Sequence, residues 1–250
     1  MNTDPEISRR VLRLTGADAH HFLQNLVTNN IDRLPEGPVY AALLTPQGKY
    51  LADFILLAEG DAILLDCAEA LAAPLMQRLS MYKLRADVKI AETDLKVRRG
   101  TGPAPEGAVS DPRDPALGWR LYGPEGGDDG TDWAALRVAH AIPASGLELT
   151  PDTYILEAGF ERLHGVDFRK GCYVGQEVTA RMKHKTELKK GLVRVTIEGS
   201  AEPGTPILSG DKPAGQLYTQ AGGAALAHLR FDRMQDELSA GTARIRALPQ

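Results

Sequence analysis

Cysteine is scarce in this chain: Cys67 and Cys172 are the two thiols among 250 residues. Two thiols can build neither a disulfide framework nor a cysteine-rich metal site within one chain, so no resident metal site is predicted. Long apolar runs are also missing, and the mean hydropathy of −0.24 predicts no transmembrane helix, which needs about 18 consecutive apolar residues. The amino-terminal residues MNTDPEISRRVL lack the pattern of a secretory signal, so we expect a cytoplasmic protein.

The chain has no large excess of one charge. Its 33 acidic and 29 basic side chains leave a formal charge of −4 and a pI near 5.9, so we expect no general attraction to nucleic acid and no membrane partner. No Walker A loop and no G-x-G-x-x-G turn opens a helix, which argues against the common nucleotide-binding folds. With 43% hydrophobic and 25% charged residues, the composition is typical of a globular protein with a buried core.

Apolar periodicity in the first hundred residues predicts an α+β fold. A short strand at 11–14 precedes an amphipathic helix whose apolar face includes Ala19, Phe22 and Leu26. Further strands are predicted at residues 40–44, 50–57, 62–67, 88–92 and 96–99, the first two forming a hairpin. Between the third and fourth of these strands lies a helix, and Pro74 predicts its start near residue 73. This order of elements differs from the regular strand and helix alternation of a doubly wound parallel sheet.

The second half of the chain begins with a change in composition. Residues 100–130 contain eight Gly and five Pro, which predicts a long irregular connection with strands only near Val109 and residues 117–122. Thr131 is the predicted N-cap of the next helix. Strands are then predicted at residues 192–197, 206–208, 215–219 and 243–248. Their spacing is typical of a small barrel or sandwich, and hence of a separate C-terminal module.

The stretch around Cys172 is the richest in reactive side chains. Cys172 stands on a predicted turn before a helix at residues 174–183, and Lys170 lies two residues earlier. A helix N-terminus and a nearby cation both favour a thiolate, so Cys172 is a candidate reactive thiol. The alternative is a small buried side chain in a tight turn bounded by Gly171 and Gly175.

The predicted helix after Cys172 also has two interpretations. Gln176 and Glu177 either complement its dipole or contact a ligand, and Arg181 is spaced for an i,i+4 ion pair with Glu177. Residues 170–194 hold seven Lys or Arg against two Glu, a net charge of +5 that leaves −9 for the rest of the chain. Such a basic segment is either an anion-binding or docking surface, or a solvated face.

Residues 170–177, Lys-Gly-Cys-Tyr-Val-Gly-Gln-Glu, continuing through Ala180 and Arg181, resemble the signature of the YgfZ-type folate-binding proteins. That family is related to the glycine-cleavage T-protein and is involved in iron-sulfur cluster maturation. The resemblance covers nearly the whole chain and includes residues 12–34, 43–57, 78–90, 156–168 and 214–232.

The resemblance implies an architecture of three modules around a central channel that admits a tetrahydrofolate. The modules consist of antiparallel sheets with helices, plus a small C-terminal β-barrel. A folate-binding module is expected at residues 1–45 and 131–185, a middle module at 46–130 and the barrel at 186–250.

The resemblance also implies a folate site. Glu157 stands where a carboxylate binds the pterin in the related T-protein, and a pterin edge presents adjacent N–H groups that can donate hydrogen bonds to a carboxylate. Phe160 and Tyr173 are candidate aromatic faces, and Lys170, Arg181 or Lys183 could meet the anionic glutamate tail. The predicted cofactor-contacting residues are Glu157, Lys170, Gly171, Tyr173, Gly175, Gln176, Glu177 and Arg181.

One position departs from the family pattern. The segment after the first helix often carries Asp, whereas this chain reads Thr28-Asn29-Asn30, and Asn30 cannot act as a general base. The sequence therefore predicts a tetrahydrofolate-binding protein that assists assembly or repair of iron-sulfur clusters. Cys172 would be its functional thiol, and iron-sulfur client enzymes or cluster carriers its partners. The alternative is a folate-dependent aminomethyl or methyl transferase, and a third interpretation is protein or RNA docking through the basic segment.

Overall fold

The computed structural model describes residues 8–185, 187–235 and 237–248. These residues form three sheets with helices between and around them, which confirms the predicted α+β class. Within the described ranges, no helix is long and apolar enough to cross a membrane.

The first sheet occupies the amino-terminal part of the chain and is antiparallel, in the order β2-β3-β4-β1-β5. Its strands are β1 (Arg9–Thr15), β2 (Val39–Leu44), β3 (Tyr50–Glu59), β4 (Ala62–Ala68) and β5 (Lys89–Glu92), and its helices are α1 (Ala19–Gln24) and α2 (Glu69–Lys83). One face packs against both helices through residues such as Leu23 and Leu75. The other face packs Tyr40 and Ile55 against Phe160 from a later segment. Because both faces are covered, β2 is apolar at every position.

Helix α2 begins earlier than predicted. It starts at Glu69 and contains Pro74, so the predicted start near residue 73 is wrong. A proline inside a helix removes one backbone hydrogen bond. Here Ala72 and Leu75 on either side of Pro74 are buried against the sheet, and their burial outweighs that loss.

The Gly- and Pro-rich connection contributes most of a second sheet. Its strands are β6 (Lys96–Gly100), β7 (Val109–Ser110), β8 (Trp119–Gly123) and β9 (Gly127–Asp128), in the order β7-β8-β6-β9. The strands near Val109 and residues 117–122 are confirmed. Strand β9 contradicts the expectation that the connection holds no other strand, because Gly and Asp have low strand propensity and only the pairing with β6 makes this segment a strand. The β6–β9 pair is parallel, which departs from the expected antiparallel pairing.

A buried ionic network joins the first sheet to the second. Asp66 of β4 accepts hydrogen bonds from Arg9 (2.6 Å), Arg120 of β8 (3.0 Å) and the Tyr122 hydroxyl (2.9 Å). Arg120 also donates to Asp111 at 2.7 Å. Burying charges is costly unless they are paired, so this pairing constrains how the two sheets meet.

The barrel at the carboxyl end is closed, which confirms the predicted C-terminal β-barrel. Its strands are β10 (Lys190–Glu198), β11 (Pro206–Ser209), β12 (Lys212–Ala221), β13 (Ala224–Arg230), β14 (Leu238–Ala240) and β15 (Ala243–Ala247), and two helices precede it, α3 (Trp133–His140) and α4 (Gln176–His184). The barrel order is β10-β13-β12-β11-β14-β15. Val138 of α3 packs against Leu226 of β13, which seats the barrel on the rest of the molecule.

Two sequence predictions at these elements need correction. The N-cap of α3 is Asp132 rather than Thr131, because the Asp132 carboxylate accepts from the Ala135 N–H at 3.0 Å. The predicted strands of the barrel omit β13 and β14, and the β13 sequence AALAHLR lacks the β-branched residues that indicate a strand.

The predicted module boundaries stay a prediction, but the strand pairing bears on them. The boundary between residues 45 and 46 falls in the turn of the β2–β3 hairpin, so strands from both sides share the first sheet. The barrel begins at Lys190, close to the expected residue 186.

Candidate functional site

The segment between α3 and α4 is held in place by the residues that follow α1. Thr28 Oγ1 donates to the Gly165 carbonyl at 2.6 Å, and Asn29 Nδ2 donates to the carbonyls of Tyr40 (2.7 Å) and His164 (2.6 Å). A Cβ on Gly165 would lie 2.6 Å from the Phe160 ring, so only glycine fits there. These contacts position the chain that leads to Cys172.

Asn30, the departure from the family pattern, has a capping role. Its Oδ1 accepts from the Asp32 N–H at 3.1 Å and from Gln24 Nε2 at 2.6 Å, at the start of a 3₁₀ turn (Ile31–Glu36). The side chain thus accepts a hydrogen bond from a backbone N–H that the first residues of the turn would otherwise leave without a partner.

Lys170 anchors the Cys172 loop to the end of α1. Its ammonium donates to the carbonyls of Gln24 (2.7 Å), Val27 (2.6 Å) and Asn29 (2.9 Å). Burial lowers the pKa of Lys170 to about 8. An ammonium has three N–H groups, and these three carbonyls account for all of them. Lys170 therefore has a structural role, holding the Cys172 loop against the end of α1.

Cys172 itself is exposed, as is Gly171 beside it. The alternative of a small buried cysteine in a tight turn is therefore wrong. Helix α4 has its N-cap at Gly175, three residues after Cys172, so the thiol lies ahead of the helix rather than on its first turn. Cys67 differs from it, because that side chain is fully buried and burial raises its pKa to about 12.

Close packing fixes the start of α4 against the β2–β3 turn. Gly175 has φ +83°, and a Cβ there would lie 2.6 Å from the Thr45 carbonyl oxygen. On the facing turn, a Cβ on Gly48 would lie 2.9 Å from the Val178 side chain. Gln176 Nε2 donates back to the Gly171 carbonyl at 3.3 Å. Gly175 is thus required by backbone conformation and space.

The two predicted aromatic faces are packed inside the protein. Phe160 is fully buried and stacks on Tyr40 with ring centroids 5.0 Å apart, so it has a packing role. Tyr173 is also buried, and the Lys170 ammonium lies 5.5 Å from its ring centre.

The charged residues of α4 are largely paired. Arg181 forms the predicted i,i+4 ion pair with Glu177, and both side chains are well exposed. Lys183 pairs with Glu161 and lies over the Phe168 ring. Two cations of the basic segment, Arg181 and Lys183, are therefore paired with acidic side chains on a solvated face.

Glu157 lies apart from these helix contacts, where the central segment meets the barrel. Its Oε2 is 3.1 Å from His228 Nε2 and 3.5 Å from Lys190 Nζ, and its side chain is 11% exposed. The Glu157 carbonyl accepts from the Leu192 N–H at 2.6 Å. A main-chain hydrogen bond to β10 thus holds Glu157 in place, while its carboxylate faces Lys190 of β10 and His228 of β13.

A polar cleft of about 560 Å³ surrounds this carboxylate, and we call it the Glu157 cleft. Its lining residues are Gly146, Leu147, Glu148, Thr150, Asp152, Thr153, Glu157, Lys190, Pro203, Gly204, Gln216, Tyr218 and His228. Of the predicted cofactor-contacting residues, Glu157 is the one in this lining. Sequence reasoning missed His228, Gln216 and Tyr218, because they lie on barrel strands far along the chain and no local motif marks them.

The chain is similar to two mammalian proteins named iron-sulfur cluster assembly factor IBA57, mitochondrial. It is 30% identical to that of Mus musculus, over 94% of this chain and 79% of that protein, and 29% identical to that of Homo sapiens, over 92% and 78%. Residues 189–250 match the family model described as CAF17, C-terminal beta-barrel domain. These relatives are mitochondrial by name, and the cytoplasmic location of this chain stays a prediction.

A solved structure has the same overall arrangement. The glycine cleavage system aminomethyltransferase T from Bartonella henselae superposes with a TM-score of 0.77 at 13% identity, covering 98% of this chain and 84% of that one. At this identity the likeness shows a shared fold.

Proposed function

Since this chain belongs to the IBA57/CAF17 (YgfZ-type) family of iron-sulfur cluster assembly factors, we propose that it binds tetrahydrofolate in the Glu157 cleft and acts through the Cys172 thiol. The folate and the thiol would together serve assembly or repair of clusters in client enzymes. The observation that carries the folate part is a largely buried carboxylate on the wall of a polar cleft.

The residues of the cleft fit a reduced folate. A volume of about 560 Å³ lies within the roughly 300–1,000 Å³ usual for small-molecule sites. Both contacts to the Glu157 carboxylate involve Oε2, so we expect Oε1 to accept from the pterin edge. A bound tetrahydrofolate supplies nitrogens that can carry a one-carbon unit. The protein supplies a carboxylate to orient the pterin and polar groups from two modules to enclose it.

The position of Cys172 supports contact with a partner. Its thiol is exposed on a loop that the hydrogen bonds of Lys170 and the close packing of Gly175 hold against the first sheet and α1. One thiolate cannot hold an iron-sulfur cluster by itself, because such clusters usually take four protein ligands. Any cluster bound at Cys172 would therefore be shared with a client enzyme or a cluster carrier.

The transferase alternative receives less support. Asn30 caps a 3₁₀ turn and offers no general base. We therefore favour the accessory role in cluster assembly over catalysis of one-carbon transfer.

The folate proposal predicts that Glu157→Gln weakens tetrahydrofolate binding by about 10- to 150-fold. This corresponds to the roughly 1.5–3 kcal/mol of a hydrogen bond to a charged group. Calorimetric titration of the folded proteins measures the change. The matched control is Glu198→Gln on β10, outside the cleft, which should bind like the wild type. Equal affinity of the Glu157 variant would remove this residue from the site, and an absence of wild-type binding would refute the folate proposal.

The thiol proposal predicts that Cys172→Ser does not restore iron-sulfur enzyme activity in cells that lack this protein. The serine hydroxyl keeps the size of the side chain but is a far weaker ligand for iron than a thiolate. Aconitase-type activity at matched protein levels is a suitable measurement. Cys67→Ala is the control, since Cys67 is buried in the core and should be dispensable. Full restoration by Cys172→Ser would show that the thiol is unnecessary.

A further inference from the structure

The barrel supplies one wall of the Glu157 cleft. Lys190, Gln216, Tyr218 and His228 come from strands β10, β12 and β13. In the barrel register, His228 lies opposite Leu192 on one side and Gln216 on the other. A side chain on a central, doubly paired strand is held firmly in place.

Of the two barrel side chains beside the Glu157 carboxylate, His228 is the better placed. Its Nε2 lies at 3.1 Å from Oε2, within hydrogen-bonding range, and the side chain is 26% exposed. Lys190 lies at 3.5 Å and is 49% exposed, on a long flexible side chain. The imidazole therefore restricts the orientation of the carboxylate more than the ammonium does.

We propose that His228 is a positioning residue for Glu157 and thereby determines how tightly the cleft holds its pterin. This inference rests on the proposed folate site and extends it, because it makes the barrel part of that site. A glutamate side chain has three rotatable bonds, and a hydrogen bond from the pterin edge to Oε1 requires one orientation of the carboxylate. His228 fixes Oε2, and Oε1 is then directed into the cleft.

The proposal predicts a specific pattern among variants of His228. His228→Leu removes the donor, so we expect about a 10-fold loss of tetrahydrofolate affinity. His228→Gln keeps an N–H donor on a side chain of similar reach and should stay within about 3-fold of the wild type. In a Glu157→Gln background, adding His228→Leu should weaken tetrahydrofolate binding by less than about 2-fold, because the effect of His228 passes through the Glu157 carboxylate.

Calorimetric titration with tetrahydrofolate tests this pattern, with thermal melting to confirm that each variant is folded. His20→Leu is the matched control, since His20 also pairs with a carboxylate, Asp32 at 3.3 Å, but lies outside the cleft. If His228→Leu does not fold, His228→Ala takes its place in both backgrounds.

Each outcome separates this inference from the folate proposal. If Glu157→Gln weakens binding while His228→Leu binds like the wild type, the inference is wrong and the folate site stands. A further 10-fold loss in the Glu157→Gln background would also overturn it, since His228 would then act independently of Glu157. If the wild type does not bind tetrahydrofolate, both proposals fall.

Discussion

Iodoacetamide at pH 7.5 is expected to alkylate Cys172 at least about 300-fold faster than Cys67 in the native protein. The thiolate is the reacting species, and with a pKa of about 12 only about one Cys67 side chain in 30,000 is ionised at this pH. Cys67 is also fully buried, whereas Cys172 is exposed. Quenched time points analysed by peptide mass spectrometry give the two rates.

Unfolding the chain provides the control for this comparison. In concentrated urea both thiols meet the same solvent, so their rates should converge to within about 3-fold. Similar rates in the native protein would contradict the placement of Cys172 on an accessible loop, and with it the proposal that this thiol meets a partner.

Replacing Asp111 with alanine is expected to lower the free energy of unfolding by about 3–5 kcal/mol at pH 7. Arg113 donates to this carboxylate at 2.9 Å and Arg120 at 2.7 Å, and all three side chains are buried. Removing the carboxylate leaves two guanidinium groups in the interior without their shared counter-ion. Urea denaturation of the variant and the wild type measures the difference. Asp232→Ala is the control, because its pair with Arg230 is exposed and its loss should hardly change stability.

The difference in unfolding free energy between the wild type and Asp111→Ala should also depend on pH. Burial raises the pKa of Asp111, but the guanidinium groups of Arg113 and Arg120 outweigh it and hold that pKa well below its usual range. The folded-state pKa is therefore lower than the unfolded one, near 3.9, so the carboxylate stabilises the fold above about pH 4. That contribution is lost as the pH falls further, and the gap between wild type and variant should then narrow. If the wild type and Asp111→Ala have equal free energies of unfolding at pH 7, the Asp111 carboxylate does not stabilise the fold through Arg113 and Arg120.

Local patterns were sufficient for most of the elements. The hairpin of β2 and β3 was predicted because two strand-forming runs flank a turn that contains Pro46 and Gly48. Helix α4 and the barrel were predicted as well, and the signature at 170–177 identified the family. Errors arose where packing overrides local preference, as in α2, whose buried turns tolerate Pro74.

The sequence by itself established two thiols, a basic segment, a family signature and the order of most strands and helices. Only the tertiary structure decided their environments. It exposes Cys172 and buries Cys67, and it commits Lys170 to three backbone carbonyls. It also brings His228 to Glu157, 71 residues away along the chain. Burial and pairing across such separations depend on how sheets and barrel pack, and periodicity within a short window carries no information about that packing.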